Sequence, residues 1–324
     1  MNNAALYLLT ILIWGSTWLA IEFQLGVVPP EVSVVYRYSA ASALLFLWCL
    51  VRGIRLRYPL GAHLRFAGLG FLLFGVGYAI AYRAQIYITG AMTAVVFSTL
   101  LWLNLINARI WFGVRAQRRT VVGALVGVAG LVVLFAPQIG AVSMSDHTVL
   151  GASLAFGGAF LASLGNMISQ SSQRAGLGVV PTNAWGMAYG ALSATLVCLA
   201  QGSPFVFEPT AGYVLSLLYL TVFGSIVAFG AYLTLLGRIG AHRAGYATVA
   251  FPVVATVLGI FFEGIEVNAV VLVGMALVVL GNVLVLGRGR LAAEPSRPAA
   301  VVESEMPGRP VLGGCTDEPA LRAS

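Results

Sequence analysis

Residues 267–290 read VNAVVLVGMALVVLGNVLVLGRGR, with no charged side chain from Val267 to Gly287, acids just before (Glu263, Glu266) and arginines just after (Arg288, Arg290). A helix over this run is about 30 Å long, the thickness of a bilayer's hydrocarbon core. Hydrocarbon offers no partner to a backbone N–H or C=O, and a run of this length closes its own bonds as a helix. The flanks give it a direction, because arginines stay on the cytoplasmic side.

Working outward, similar apolar runs occupy residues 4–24, 31–51, 65–85, 90–112, 119–136, 147–169, 180–201, 212–236 and 243–263. Turn formers and charges separate them, as in Val28-Pro29-Pro30-Glu31 and Gly202-Ser203-Pro204. With 59% apolar and 9% charged residues, the chain lies far from soluble domains, which carry about 25% charge. The expected fold is an all-α polytopic membrane protein of ten transmembrane helices. The first run has no basic segment before it and is read as a span, not a removed leader.

Counting ten spans puts Arg52, Arg55, Arg57, Arg65, Arg109, Arg115, Arg118, Arg119, Arg174, Arg238, Arg243, Arg288 and Arg290 at one face of the membrane. Glu22, Glu31, Asp146, Glu208, Glu263 and Glu266 fall at the other. A single miscount would scramble this order. It places both termini in the cytoplasm of a multi-pass inner-membrane protein. From residue 288 the composition turns to Pro, Gly, Ala, Arg and Glu, too polar to bury a core, so 288–324 is expected to be a disordered cytoplasmic tail.

Ten spans divide into five and five, and an odd number per half makes the second half enter from the opposite side. The expected units are 1–140 and an inverted repeat at 141–287. Gly90-Ala91 and Gly240-Ala241 each open the fourth span of their half, and Gly123 and Gly130 match Gly274 and Gly281 with the same spacing. These span-five and span-ten glycines read as packing surfaces. The turn after span four carries Arg115, Arg118 and Arg119, whereas its counterpart carries Glu263 and Glu266, the reversal that opposite topology requires.

The inventory excludes several chemistries. Every basic side chain among the 18 is Arg, so a Walker A lysine and a Schiff-base lysine are both absent. His63, His147 and His242 are scattered, and Cys49, Cys198 and Cys315 have no paired spacing. No metal, cofactor or disulfide framework is expected. The net charge of +7 is spread in short patches, which is topology and not a nucleic-acid face.

Arg37 lies six residues into span two, about 9 Å below the helix start. A cation at that depth is a functional hypothesis by default; alternatively it snorkels outward to pair with Glu31 or Glu22. Tyr78, Tyr82 and Gln85 recur at i, i+4 and i+7 on span three, Asn104 and Asn107 share a face of span four, and Ser163, Asn166 and Gln170 share one of span six. Thr221, Ser225 and Tyr232 do so on span eight. Amides cannot face lipid, so these stripes either bond other helices or line a wet cavity. Trp14 and Trp18 are neighbours on span one; Trp14 suits a pocket, while Trp18 is open between pocket and interface anchor. Pro252 withholds a donor in mid-span and marks a hinge. Glu22 and Glu263 are the candidates for coupling to an ion.

Ile13-Trp14-Gly15-Ser16-Thr17, then Pro29-Pro30, Arg37 in VVYRYSAASALLF, GYAIAYRAQIYITGAMTAVVFSTLLWLNLINA, and Ala247-Thr248-Val249-Ala250-Phe251-Pro252 before FFEGIEVN resemble the EamA-type family of the drug/metabolite transporter superfamily in this order. The resemblance covers residues 4–287. The chain departs from it in carrying Trp102 and Arg115 where many relatives have Pro and Glu, and Arg83 where some have an acid. The resemblance implies a secondary transporter, exporting a small amphipathic metabolite such as an amino acid. In that setting Arg37 or Arg83 would hold a carboxylate, with Trp14, Tyr78, Tyr82 and Tyr232 around the organic part. The partners are a small-molecule substrate and the bilayer; a homodimer is left open. The alternatives are a lipid flippase and, less favoured, an intramembrane enzyme, which would need a base beside Ser16 or Ser153.

Overall fold

The computed structural model describes residues 1–136, 146–262 and 267–286. All regular elements among them are helices: α1 (Asn3–Glu22), α2 (Pro30–Val51), α3 (Leu60–Ala84), α4 (Gly90–Phe97), α5 (Leu100–Phe112), α6 (Arg118–Leu134), α7 (Asp146–Arg174), α8 (Val179–Gln201), α9 (Ala211–Ile239), α10 (Ala241–Ala244), α11 (Ala247–Phe262) and α12 (Ala269–Leu286). Their ends follow local chemistry. The Asn2 side chain accepts the Ala5 N–H at 2.8 Å to cap α1. Pro30 opens α2 with Glu31 in its first turn. Gly113 (φ +68°) and Gly202 (φ +67°) end α5 and α8 in the left-handed conformation that a side chain disfavours.

Six segments are long and apolar enough to cross a bilayer: Asn3–Glu22, Pro30–Val51, Leu60–Ala84, Met92–Phe112, Asp146–Arg174 and Ala211–Ile239. The other expected spans are also helical, but α6, α11 and α12 have only 17, 16 and 18 residues. Ten is therefore more than length and hydropathy establish by themselves. The fourth expected span is also interrupted between α4 and α5. There the Ser98 and Thr99 hydroxyls bond Val95 O and Val96 O at 2.6 Å, competing with the helical ladder. Glu263, the boundary between residues 140 and 141, and the tail at 288–324 lie outside the described residues.

Two helices widen into π-helical turns, α3 at Gly70–Gly75 and α9 at Leu220–Val227. The α3 turn lies against α8, where a Cβ on Gly70 would sit 2.7 Å from Gly190 N. Helices α2 and α8 pack antiparallel, with Ser42 Oγ donating to Ala184 O at 2.9 Å and Tyr36 OH to Val206 O at 3.1 Å. Helices α6 and α12 also run antiparallel and pack through the glycines that the sequence marks as packing surfaces. A Cβ on Gly281 would meet Gly123 O and Gly127 N at 2.6 Å, and one on Gly130 would meet Val278 N at 2.7 Å. These glycines let backbone meet backbone. On the outside, Leu8, Leu12, Leu44, Leu47, Ile106, Ile110, Leu192 and Leu199 are exposed, an apolar belt that fits lipid as solvent. On α1 the exposed Leu8 and Leu12 and the buried Trp14 and Trp18 each repeat at i, i+4, which separates a lipid face from an inner face.

Candidate functional site

The inner face of α1 looks into a cavity between the two halves. Its walls are Trp14, Thr17, Trp18 and Ile21 from α1; Leu73, Tyr78, Ala81 and Tyr82 from α3; Phe97 and Leu100 from α4 and α5; Ala162 and Asn166 from α7; Phe229 and Tyr232 from α9; and Thr248 and Phe251 from α11. The space between them is about 580 Å³, its mouth included. Aromatic rings dominate: Trp14 packs against Phe229, Tyr232 and Phe251 at centroid distances of 4.6, 4.9 and 5.6 Å.

The π turn of α9 positions much of this wall. A widened turn frees a carbonyl from the regular ladder, and Gly224 O accepts the Trp14 Nε1–H at 3.0 Å. Ser225, whose Oγ donates to Leu220 O at 3.0 Å, accepts the Arg37 Nε–H at 2.8 Å. Arg37 Nη1 donates to Tyr82 OH at 3.0 Å, and Tyr82 OH in turn donates to Gln24 Oε1 at 3.0 Å. Thus Arg37, wholly buried, stands behind the tyrosine wall of the cavity. Its guanidinium carbon lies 4.9 Å from the Tyr78 ring centre and 5.3 Å from that of Tyr38, within cation–π range. Its Nη2 has no hydrogen-bond acceptor among the described residues.

Of the residues singled out from sequence, Trp14, Tyr78, Tyr82, Asn166 and Tyr232 line the cavity, and Arg37 adjoins it through Tyr82. Asn104 braces the floor: Asn166 Nδ2 donates to Asn104 Oδ1 at 3.3 Å and lies 3.0 Å from Tyr232 OH. Asn107 and Gln170 tie helices together away from the cavity. Asn107 Nδ2 donates to Ser163 Oγ at 2.8 Å, and Gln170 Oε1 accepts the Ala241 N–H at 3.0 Å. The amide stripe of α7 is therefore divided between bracing and cavity.

Two expected site residues, Arg83 and Gln85, fall elsewhere, and two readings left open by the sequence are decided. Arg37 does not pair with Glu31 or Glu22. Glu31 is taken by Arg83 at 3.4 Å and by Ser203 Oγ at 2.7 Å. Arg83, 44% exposed, thus sits in this ion pair and not at the cavity. Trp18 is no interface anchor, being 8% exposed with its ring 5.3 Å from that of Phe97 and its Nε1 without a partner. Gln85 follows the end of α3, so the period that aligns it with Tyr82 has run out. It lies beside Gly90, whose N–H donates to Glu22 Oε1 at 3.3 Å. Pro252 is inside α11, its carbonyl accepting Thr256 Oγ1–H at 2.8 Å.

Sequence reasoning did not single out Gln24, Phe97, Phe229, Thr248 or Phe251. Phe229 could have been found from its place three residues before Tyr232 on one helical face. Gln24 gave no signal, because it follows α1 in a turn and acts only through Tyr82.

The EamA-like transporter family model matches the chain twice, over residues 2–136 and 149–287. The chain is 29% identical over 306 residues to the uncharacterized inner membrane transporter YedA of Escherichia coli strain K12, covering 90% of this chain and 92% of that protein. It is 21% identical over 273 residues to protein PagO of Salmonella typhimurium, covering 83% and 87%. Transporter YoaV of Bacillus subtilis is 23% identical over 286 residues, with 85% and 90% covered. A crystal structure at 24% identity superposes with a TM-score of 0.72 over 88% of this chain and 96% of that one, which shows a shared fold. Apolar helices, the exposed belt and matches over most of each chain agree on a multi-pass membrane protein, and the chain belongs to the EamA-like transporter family.

Proposed function

We propose that this membrane transporter is a secondary exporter that moves a small amphipathic metabolite, such as an amino acid, by alternating access around the cavity between its halves. The observation that carries this reading is the cavity itself, walled by aromatic side chains from α1, α3, α4, α9 and α11 and backed by Arg37. A site between repeats near mid-membrane can be uncovered from either side by rocking one half against the other. Supporting ten spans in two inverted halves, the π turns fall in the third and eighth expected spans, and the antiparallel pairs α2–α8 and α6–α12 join the second to the seventh and the fifth to the tenth. These are the partners that a twofold axis in the membrane plane would relate.

The distribution of arginines supports both termini lying in the cytoplasm. Glu22 and Glu263 are the proposed coupling acids; Glu22 holds the N-terminus of α4 through Gly90. The test is counterflow in proteoliposomes preloaded with amino acids and other amphipathic solutes. Saturable exchange of any of them supports transport, and its absence with folded protein refutes it for this substrate class. An exchange rate indifferent to an imposed pH gradient would end proton coupling.

A further inference from the structure

Arg37 stays charged, because a guanidinium does not release its proton in a protein. It is 0% exposed, and among the described residues the groups that face it are Ser225, Tyr82, Tyr78, Tyr38 and Gly224; none is an acid. A buried charge whose counter-charge is missing costs several kcal/mol, and an anion brought near it offsets part of that cost. One tyrosine wall separates the charge from the cavity, and among the residues lining that cavity none is acidic. Among the described residues, unpaired polar atoms on or next to its walls include donors on Arg37 (Nη2), Trp18 (Nε1), Gln24 (Nε2) and Asn104 (Nδ2), the hydroxyl of Tyr38 and an acceptor on Asn166 (Oδ1).

We infer that the ligand is an organic monoanion with an apolar or aromatic body and no ammonium group, a carboxylate in preference to a zwitterionic amino acid. The inference rests on the cavity being the transport site and narrows its substrate class. A carboxylate near the Tyr82–Arg37 pair meets a positive field that low-dielectric walls screen poorly. An α-ammonium, on the carbon next to that carboxylate, would enter the same field with no carboxylate on the walls to replace its hydration shell. The ring faces of Trp14 and Phe229 offer an ammonium only a weaker attraction. Glu22, which could attract a cation, is exposed and outside the cavity walls.

The test uses a matched set on the full chain: 3-phenylpropanoate, phenylalanine, 2-phenylethylammonium and 3-phenylpropanamide. Binding is read as the ligand-induced rise in Tm in detergent, and transport as counterflow in proteoliposomes. The expected result is binding and exchange of 3-phenylpropanoate at least about tenfold stronger than of the other three, a ratio equivalent to about 1.4 kcal/mol. Arg37→Gln should abolish the preference and Arg37→Lys, which keeps the charge, should retain it. If Arg37→Gln does not fold, the four-compound comparison on the parent decides alone. Phenylalanine or 2-phenylethylammonium exchanged as well as the carboxylate overturns the anion inference while leaving transport standing. Binding of 3-phenylpropanoate with no exchange supports the anion site and refutes transport of that anion. No binding by any of the four overturns the inference.

Discussion

Replacing Tyr82 with Phe removes one oxygen from the middle of the Arg37–Tyr82–Gln24 relay and keeps the ring. Two hydrogen bonds of 3.0 Å are lost, one donated by a guanidinium and one donated to an amide. A bond to a charged group contributes about 1.5–3 kcal/mol and a neutral one about 0.5–1.5 kcal/mol, so the variant should lose about 2–4 kcal/mol. Interhelical hydrogen bonds in membranes average only about 0.6 kcal/mol, because the unfolded chain in the bilayer finds other partners. The larger figure follows from burial: Arg37 and Tyr82 are each 0% exposed, and Arg37 Nη2 already lacks an acceptor, so a second orphaned donor on one charge has nowhere to turn. Unfolding in mixed micelles with increasing SDS measures the difference. Tyr87→Phe serves as the control, since that ring stacks on His147 outside the cavity. A Tyr82→Phe loss of about 0.6 kcal/mol or less would refute the claim that the relay is charge-assisted in effect. Combining it with Gln24→Ala should give less than the added losses, since both variants break the same bond.

Trp14→Phe keeps an aromatic wall but leaves Gly224 O without its side-chain donor. It should cost about 1 kcal/mol in the same unfolding assay and lower the exchange rate in counterflow. Gly281→Ala drives a methyl to 2.6 Å from backbone atoms of Gly123 and Gly127, which cannot turn aside as a side chain would. A loss of about 1–3 kcal/mol is expected with transport per folded molecule unchanged, because α6 and α12 contribute nothing to the cavity walls. Arg83→Gln takes the cation from Glu31, whose side chain is 4% exposed and keeps its bond from Ser203 Oγ; since Arg83 itself is 44% exposed and the pair long at 3.4 Å, a loss of about 1–3 kcal/mol is expected. High salt should change that loss little, because the carboxylate is buried.

Residues that act through helical period were legible in the sequence, and those that act through a break in the period were not. Trp14, Tyr78 and Tyr82 could be placed on inner faces because α1 and α3 keep a regular turn around them. The glycines of α6 and α12 announced their packing by equal spacing, and the contacts agree. The π turn at Leu220–Val227 was silent, since nothing in LTVFGSIV marks a widened helix. Yet that turn frees the carbonyl for Trp14 and brings Ser225 to Arg37. The choice of acid was equally hidden. Both arginines lie within reach of Glu31 by sequence, but Arg83 at the end of α3 is half in solvent, whereas Arg37 would have to leave its tyrosines to reach the same carboxylate.

The cavity is flanked by unlike chemistry toward its two ends, and this bears on the proposed alternating access. Toward the arginine-bearing side lie neutral, buried bonds: Asn166 with Asn104 and Tyr232, Asn107 with Ser163, and Gln170 with the Ala241 backbone. Parting these leaves several amide groups without partners away from water, which costs about 1–3 kcal/mol for each. Toward the acid-bearing side the links are the Arg83–Glu31 pair and the contact of Glu22 with Gly90 N, and Arg83 and Glu22 are both already exposed. Water can take over the solvation of Arg83 and Glu22 as they part, whereas Glu31, 3% exposed, keeps its bond from Ser203 Oγ and loses its cation, so this end is held by one buried carboxylate. The relay of Tyr82 and Gln24 lies between this end and Arg37. In the proposed transport cycle, a ligand that draws the Arg37 guanidinium away from Tyr82 would loosen this relay, coupling occupancy of the cavity to its access.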